Sequence, residues 1–325
     1  TKQAFINNKM NLLQVEGLSN LIKSETEKQR NQALKQYLKE SSKIYFDWLE
    51  GAKSILALVE ASIDFSDEDI PKSLLMDAKR KTNKLITKIH DHKKTFKQGK
   101  AINEGLKIAI LGKPNSGKST LINYLSRKKI SIVSKKAGTT RDIITNKVDF
   151  NGIPVTFYDT AGLRNTKNEI EKEGKKMAKE LSKRVDLRIF IGSNNSKQPF
   201  KGIDISKKKG DLIIINKADL KKTHKEKPNI TISLKDKTGL KGLNNKISKK
   251  IKELSNQYSG QVISSERVYG HVCNSLTYLE ETNFKDPSLA SECLKSSINE
   301  ISMISKETNN EEILDIIFKE FCIGK

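Results

Sequence analysis

The chain has 325 residues, enough for two or three domains at ~150 residues each. Its apolar fraction is 35% and its net charge +22, so modest cores must lie beneath a heavily charged surface. No apolar run approaches the ~18 residues of a membrane helix, and the three cysteines, Cys273, Cys293 and Cys322, lack the C-x-x-C spacing of a metal or redox site, which with their odd number argues against a disulfide framework.

The expectation is therefore a cytoplasmic protein with no membrane partner. The charge has two readings: an electrostatic footprint for a polyanion such as tRNA, or lysines accumulated through an A+T-rich coding bias and simply solvated. The lysines are spread along the chain and do not decide between them. The first residue is Thr1, not Met, which points to a fragment or processed form.

From Asn11 to about Lys100 the apolar residues recur at helical spacing. Leu12, Leu13, Val15, Leu18, Leu21 and Ile22 make one face. A longer series runs through Leu34, Tyr37, Leu38, Ile44, Tyr45, Trp48, Leu49, Ile55, Leu56, Leu58 and Val59. Ser66-Asp67-Glu68-Asp69-Ile70-Pro71 reads as a loop, and a third helix uses Leu74, Leu75, Ala78, Leu85, Ile86 and Ile89. Trp48 reads as core filler.

From about residue 106 to 255 strands alternate with helices, the pattern of a mostly parallel sheet covered on both faces. Leu106–Leu111 is a short apolar strand. It runs into Gly112-Lys113-Pro114-Asn115-Ser116-Gly117-Lys118-Ser119-Thr120, which matches G-x-x-x-x-G-K-[ST], the phosphate-cradling P-loop, and a helix follows. Gly138-Thr139-Thr140-Arg141-Asp142 supplies a threonine, Thr140, to join Ser119 on Mg²⁺.

Residues 143–150 and 155–158 form a hairpin around Asn151-Gly152. Its second strand ends in Asp159-Thr160-Ala161-Gly162, where Asp159 holds Mg²⁺ through water and the Gly162 N–H senses the γ-phosphate. After a buried strand at 212–215 comes Asn216-Lys217-Ala218-Asp219. The aspartate accepts from guanine N1–H and the 2-amino group, which adenine cannot offer, so this element selects GTP. Ser233-Leu234-Lys235 closes over the base, and Leu243, Ile247, Ile251 and Leu254 face the core from the last helix of the unit.

Leu163 stands where many switch GTPases place a water-orienting Gln. A carboxylate from Asn168-Glu169-Ile170-Glu171-Lys172-Glu173 is the available substitute. The strand Leu187-Arg188-Ile189-Phe190-Ile191-Gly192 carries an arginine, an expected influence on local stability and not on chemistry. Three more helices follow: 262–279 with Val268, Val272, Leu276 and Leu279; one starting at Pro287-Ser288 with Leu289, Leu294, Ile298 and Ile301; and 311–321. The fold expected is an α/β P-loop (Ras-like) GTPase domain at 103–255 inserted into an all-α domain made of 1–102 and 256–325.

Ala4-Phe5, the helix at 14–22, Ala61-Ser62-Ile63-Asp64-Phe65 and the ending Phe321-Cys322-Ile323-Gly324-Lys325 resemble the MnmE (TrmE) family of tRNA-modification GTPases over essentially the whole chain. The resemblance implies that G domains dimerise across their nucleotide faces. It also implies that K⁺, held by Asn115 and a loop carrying Ser134, Lys136 and Thr139, replaces an arginine finger, and that Glu171 is the catalytic carboxylate. Lys118, Thr140, Gly162 and Glu171 are then the catalytic set. Asn115, Ser116, Gly117, Lys118, Ser119, Thr120, Ser134, Thr139, Thr140, Asp159, Thr160, Ala161, Gly162, Asn216, Lys217, Asp219, Ser233, Leu234 and Lys235 bind GTP.

The family works with the flavoprotein MnmG (GidA) to modify the wobble uridine (U34) of tRNA. The resemblance implies an N-terminal tetrahydrofolate-binding domain that is expected to be missing upstream of Thr1, so this sequence by itself is expected to hydrolyse GTP, whereas modification would draw on the full family form. Cys322 and Lys325 fall at the end that lies near the folate site in the family. The alternative function is a GTP-dependent RNA-binding switch in ribosome assembly, which the helical C-terminal segment and Phe321–Lys325 ending oppose. A nucleotide-binding scaffold without turnover is opposed by the intact Lys118, Ser119, Asp159, Asn216 and Asp219.

Overall fold

The computed structural model describes residues 2–7, 9–38, 40–64, 73–128, 145–159, 179–203, 205–255 and 260–305. They divide into two compact units, residues 1–103 with 257–325, and residues 104–256.

The first unit is helical. It contains α1 (Lys2–Ile6), α2 (Leu12–Lys23), α3 (Glu27–Tyr37), α4 (Glu40–Asp64), α5 (Ser73–Lys93) and α6 (Phe96–Asn103). Capping boxes start α2 and α3: Asn11 with Gln14, and Thr26 with Gln29, exchange side-chain and backbone hydrogen bonds that satisfy otherwise orphaned N–H groups. One core unites this segment with the C-terminal one. Leu13, Trp48, Ile55, Val59 and Ile89 pack with Ile263, Val272, Leu276, Leu294 and Ile301. Trp48 is core, as its spacing implied.

Some residues expected on the buried faces are exposed: Ile22, Leu34, Leu38 and Leu289. The reason for α3 is close approach. A Cβ on Gly17 of α2 would sit 2.7 Å from the Tyr37 N and 3.2 Å from the Ala33 O, so the facing stripe of α3 is Ala33, Gln29 and Gln36, not leucine. Gln36 and Gln29 are satisfied there; Gln29 Nε2 donates to the Asn103 carbonyl at 2.9 Å.

The second unit holds a six-stranded sheet of β1 (Leu106–Leu111), β2 (Thr145–Phe150), β3 (Ile153–Asp159), β4 (Leu187–Ser193), β5 (Leu212–Asn216) and β6 (Ile230–Thr231), with α7 (Lys118–Lys128) and α8 (Leu240–Ser255). The order is β2-β3-β1-β4-β5-β6, parallel except for the β2–β3 hairpin. Asn151 and Gly152 both take positive φ, +59° and +87°, the left-handed pair that a two-residue hairpin turn requires. Apolar runs in β1, β4 and β5 are almost wholly buried, as parallel strands covered on two faces demand. Fold and insertion are those of a P-loop GTPase domain set within a helical domain.

The expected alternation of strand and helix fails twice. Among the described residues, neither the β4–β5 nor the β5–β6 crossover contains a helix. Pro199 and Phe200 instead fold back over β4: a Cβ on Gly192 would lie 2.6 Å from Pro199 Cβ, and Phe200 meets Phe190 edge-on at 6.4 Å. Arg188 of β4 is paired, its Nε and Nη2 donating to both carboxylate oxygens of Asp211 at 2.9 and 2.6 Å, with both side chains about nine-tenths buried.

C-terminal to the sheet unit, α9 (Glu266–Glu281) and α10 (Pro287–Ser305) return to the helical core. The helix expected from residue 262 begins at Glu266; Ile263 is buried without being helical. The helix expected at 311–321 and the loop at 66–71 lie outside the described residues.

Candidate nucleotide site

Four parallel strands frame the site. In register, Ile110 of β1 lies beside Asp159 at the end of β3, and Ser193 of β4 lies beside Asn216 at the end of β5. The carboxyl edge of an open α/β sheet is where such folds bind ligands, and β1 leaves that edge directly into the P-loop.

The loop geometry depends on its glycines. Gly117 has φ +99°, and a Cβ there would overlap the Asn216 amide. Asn115 adopts φ +59°, a left-handed conformation that Asn tolerates better than most residues. Lys118, 5% exposed, donates from Nζ to the Lys113 carbonyl across the loop at 2.8 Å. The Ser116 hydroxyl is buried without a hydrogen-bond partner among the described residues, an orphan that a phosphate oxygen would satisfy.

At the first turn of α7 the Ser119 Oγ donates to Asp159 Oδ2 at 2.6 Å, and Asp159 is 4% exposed. This is an oxygen-only donor pair beside a phosphate loop, the hard-ligand chemistry that suits Mg²⁺. Thr120 is exposed in that same turn.

Asn216 is a tie. Its Nδ2 donates to the Ser116 carbonyl at 3.0 Å and its Oδ1 accepts from the Leu234 N–H at 3.1 Å, so one buried amide fastens the P-loop to the 233–235 segment. Lys217 then takes φ +64°, turning the chain so that the Ala218 N–H reaches the Ile232 carbonyl at 3.0 Å. Asp219 follows with its carboxylate facing solvent. The Ser233 hydroxyl donates to Asp219 Oδ1 at 2.7 Å and, first among several causes, holds this carboxyl below its ordinary pKa. A carboxylate aimed by a buried serine is a charged acceptor fixed for a base edge. Leu234 lies against the position of the missing Gly117 Cβ, and Lys235 is exposed beside it.

The structure thus gathers Ser116, Gly117, Lys118, Asn216, Ser233 and Leu234 around one loop, with Ser119 and Asp159 at its end. Ser134, Lys136, Thr139, Thr140, Thr160, Ala161, Gly162, Glu171, Cys322 and Lys325 lie outside the described residues. Asn194 went unnoticed in the sequence. Just beyond β4, its Nδ2 donates to the Leu220 carbonyl at 2.6 Å and its own carbonyl accepts the Thr223 N–H at 3.0 Å, bracing the segment after Asp219. Its place immediately after a buried strand at the carboxyl edge was the available signal.

The model of the MnmE helical domain matches residues 12–322. The tRNA modification GTPase MnmE of Rickettsia bellii is 37% identical over 339 residues, spanning all of this chain and 75% of that protein. The MnmE of Pelagibacter ubique is 39% identical over 335 residues with the same coverage. The chain belongs to the MnmE family. It spans three-quarters of the length of these MnmE relatives. Among solved structures it is similar to Era of Aquifex aeolicus bound to GDP and AlF₄⁻, at TM-score 0.32 and 23% identity over 56% of this chain and 69% of that one. The FeoB G domain of Methanococcus jannaschii gives TM-score 0.32 and 21% identity over 45% and 98%. No described helix is long and apolar enough to cross a membrane.

Proposed function

We propose that this MnmE-family chain is a potassium-stimulated GTP hydrolase that acts, with the flavoprotein MnmG, in modification of the tRNA wobble uridine. The observation that carries the nucleotide part is the Asp219 carboxylate, anchored by Ser233 on a segment that Asn216 ties to the P-loop. That arrangement reads guanine and cradles phosphate in one rigid piece. Membership of the family carries the tRNA part.

In this reading Lys118 and the loop N–H groups neutralise the phosphates, and Ser119 with Asp159 holds Mg²⁺, which draws charge from the phosphate oxygens when bound. Asn115 contributes to a K⁺ site. The Leu163 side chain has no polar atom to orient water, so Glu171 takes that role. GTP loading brings two G domains together in a homodimer.

The test is GTP turnover in K⁺ against Na⁺ at equal ionic strength. Potassium is expected to accelerate wild type, and Asn115→Ala to abolish that gain. Glu171→Ala should slow turnover by about 10²–10⁴-fold with nucleotide still bound. Equal rates in the two salts together with silent substitutions would remove the mechanism.

A further inference from the structure

We propose that the two helix-free crossovers of the sheet unit form an RNA-binding cleft that grips a tRNA phosphate backbone. The proposal rests on the tRNA reading above and adds the surface that does the binding.

Residues 197–227 carry ten lysines against four acidic residues. Two of those acids are spent inside the unit: Asp211 on Arg188, and Glu226 on Lys207 at 3.1 Å. A third, Asp219, is the guanine reader. Lysine occurs along the whole chain but is dense in this stretch, and the fold brings its two loops side by side. Loops 194–211 and 217–229 meet in an open cleft of about 820 Å³ rimmed by Lys197, Lys201, Lys225 and Lys227, with Gln198 and Thr223 between them. The four rim lysines are exposed and have no acidic partner among the described residues, so their charge is available to an anion; Lys53, Lys94, Lys250 and Lys295 each sit on a carboxylate instead.

The cleft is built, not merely charged. The Asn194 carbonyl and side chain hold its two loops together, and Lys113 of the P-loop donates from Nζ to the Gln198 carbonyl at 2.6 Å. Phe200 is half-buried, packed on Phe190 and covered by the Lys207 ammonium 3.9 Å from its ring centroid. With no large apolar side chain free on the rim, the surface suits a hydrated polyanion and not insertion into a bilayer. Lysine ammoniums with interleaved amide and hydroxyl groups are the usual phosphate- and sugar-contacting set, and they bind by releasing counterions.

The experiment is fluorescence-anisotropy titration of a labelled tRNA transcript with the full chain from 50 to 200 mM KCl. It compares wild type with a quadruple variant, Lys197→Gln, Lys201→Gln, Lys225→Gln and Lys227→Gln. A charge-matched control carries Lys53→Gln, Lys94→Gln, Lys250→Gln and Lys295→Gln. If the four rim lysines each meet a phosphate, the variant lowers the slope of log K against log salt by about 3 to 4 and weakens binding more than about tenfold at 0.1 M salt. The control is expected to leave the slope nearly unchanged. GTP turnover without RNA should stay within about twofold of wild type in both, since exposed substitutions shift folding little.

Equal losses in rim variant and control would mean diffuse charge and overturn the cleft. So would rim substitutions that leave tRNA binding intact while abolishing capture by phosphatidylglycerol vesicles, which would make the cleft a membrane surface. If wild type itself binds no tRNA yet turns over GTP normally, the tRNA reading falls and takes the cleft with it; tRNA binding that survives the rim substitutions removes the cleft alone.

Discussion

At the residue scale, His92 is an ionisable group buried in the helical unit, outside the nucleotide site. Its ring meets Tyr45 and Trp48 edge-on at centroid distances of 5.7 and 5.3 Å, and its Nε2 shares a 3.2 Å hydrogen bond with the Tyr45 hydroxyl. Burial drives its pKa from the ordinary 6.5 down to about 4 and, as the first of several causes, pushes the Tyr45 phenol up. The unfolded chain takes the proton first as pH falls. His92 therefore costs no stability above about pH 6.5, and stability is lost progressively as pH drops from 6.5 toward 4. A shift of this size corresponds to about 3 kcal/mol at full development. Urea titrations followed by Trp48, the sole tryptophan, should show the wild-type midpoint falling across that window. In His92→Phe the fall should be shallower, the difference isolating His92 from carboxylates that also titrate. Parallel pH profiles for the two proteins would refute the assignment.

At the element scale, β1 and β5 and the hairpin turn were legible because short apolar runs and Asn-Gly are local signals. So were the faces of α8 and α9, where Leu243, Ile247, Val272 and Leu276 recur at helical spacing and are buried. What could not be read was anything set by a neighbour. Leu34 of α3 and Leu38 just beyond it point outward because Gly17 draws a backbone up against the other side of the helix, and nothing in α3 itself says so. The base-reading motif was plain in sequence, but the tie of Asn216 to Ser116 and Leu234 spans 100 and 18 positions. Arg188 looked like a defect in an apolar strand; its partner lies 23 residues on, across a crossover whose Pro199, Gly202 and Gly210 were the overlooked breakers. That pairing has a consequence. Arg188→Leu leaves the Asp211 carboxylate buried and uncompensated, at an expected cost of about 3–5 kcal/mol. Adding Asp211→Asn removes the stranded charge, keeps an acceptor for the Lys208 N–H that Asp211 now receives at 2.6 Å, and should restore most of the loss. Thermal unfolding of the two variants separates the cases. A double variant no more stable than the single would show that packing, not charge, sets the cost.

At the scale of the whole molecule, an inserted unit is tolerated when the host chain leaves and re-enters at one place. Here it does. A Cβ on Gly99 in α6 would overlap the Ile263 carbonyl, the Ile263 N–H donates to Thr95 Oγ1 at 3.1 Å, and Lys100 pairs with Glu266 at 2.5 Å. Asn103, the last residue of α6, donates from Nδ2 to the Ser264 carbonyl at 3.4 Å. The helical core itself draws on both sides of the insertion, since Trp48 and Ile89 share it with Val272 and Ile301. Residues 1–103 alone should therefore lack a cooperative transition, exposing the apolar face that α9 and α10 cover. Joining 1–103 to 260–325 through a linker of about four residues, which reaches ~13 Å, should restore one. Residues 104–256 expressed separately should keep guanine-nucleotide binding, because Lys118, Ser119, Asp159, Asn216, Asp219 and Ser233 all lie within that unit. Urea titration of Trp48 fluorescence for the helical pieces and nucleotide titration of the excised unit decide the matter. If 1–103 unfolded cooperatively at the midpoint of the linked protein, the two helical segments would be separate domains and the shared core would contribute little to either.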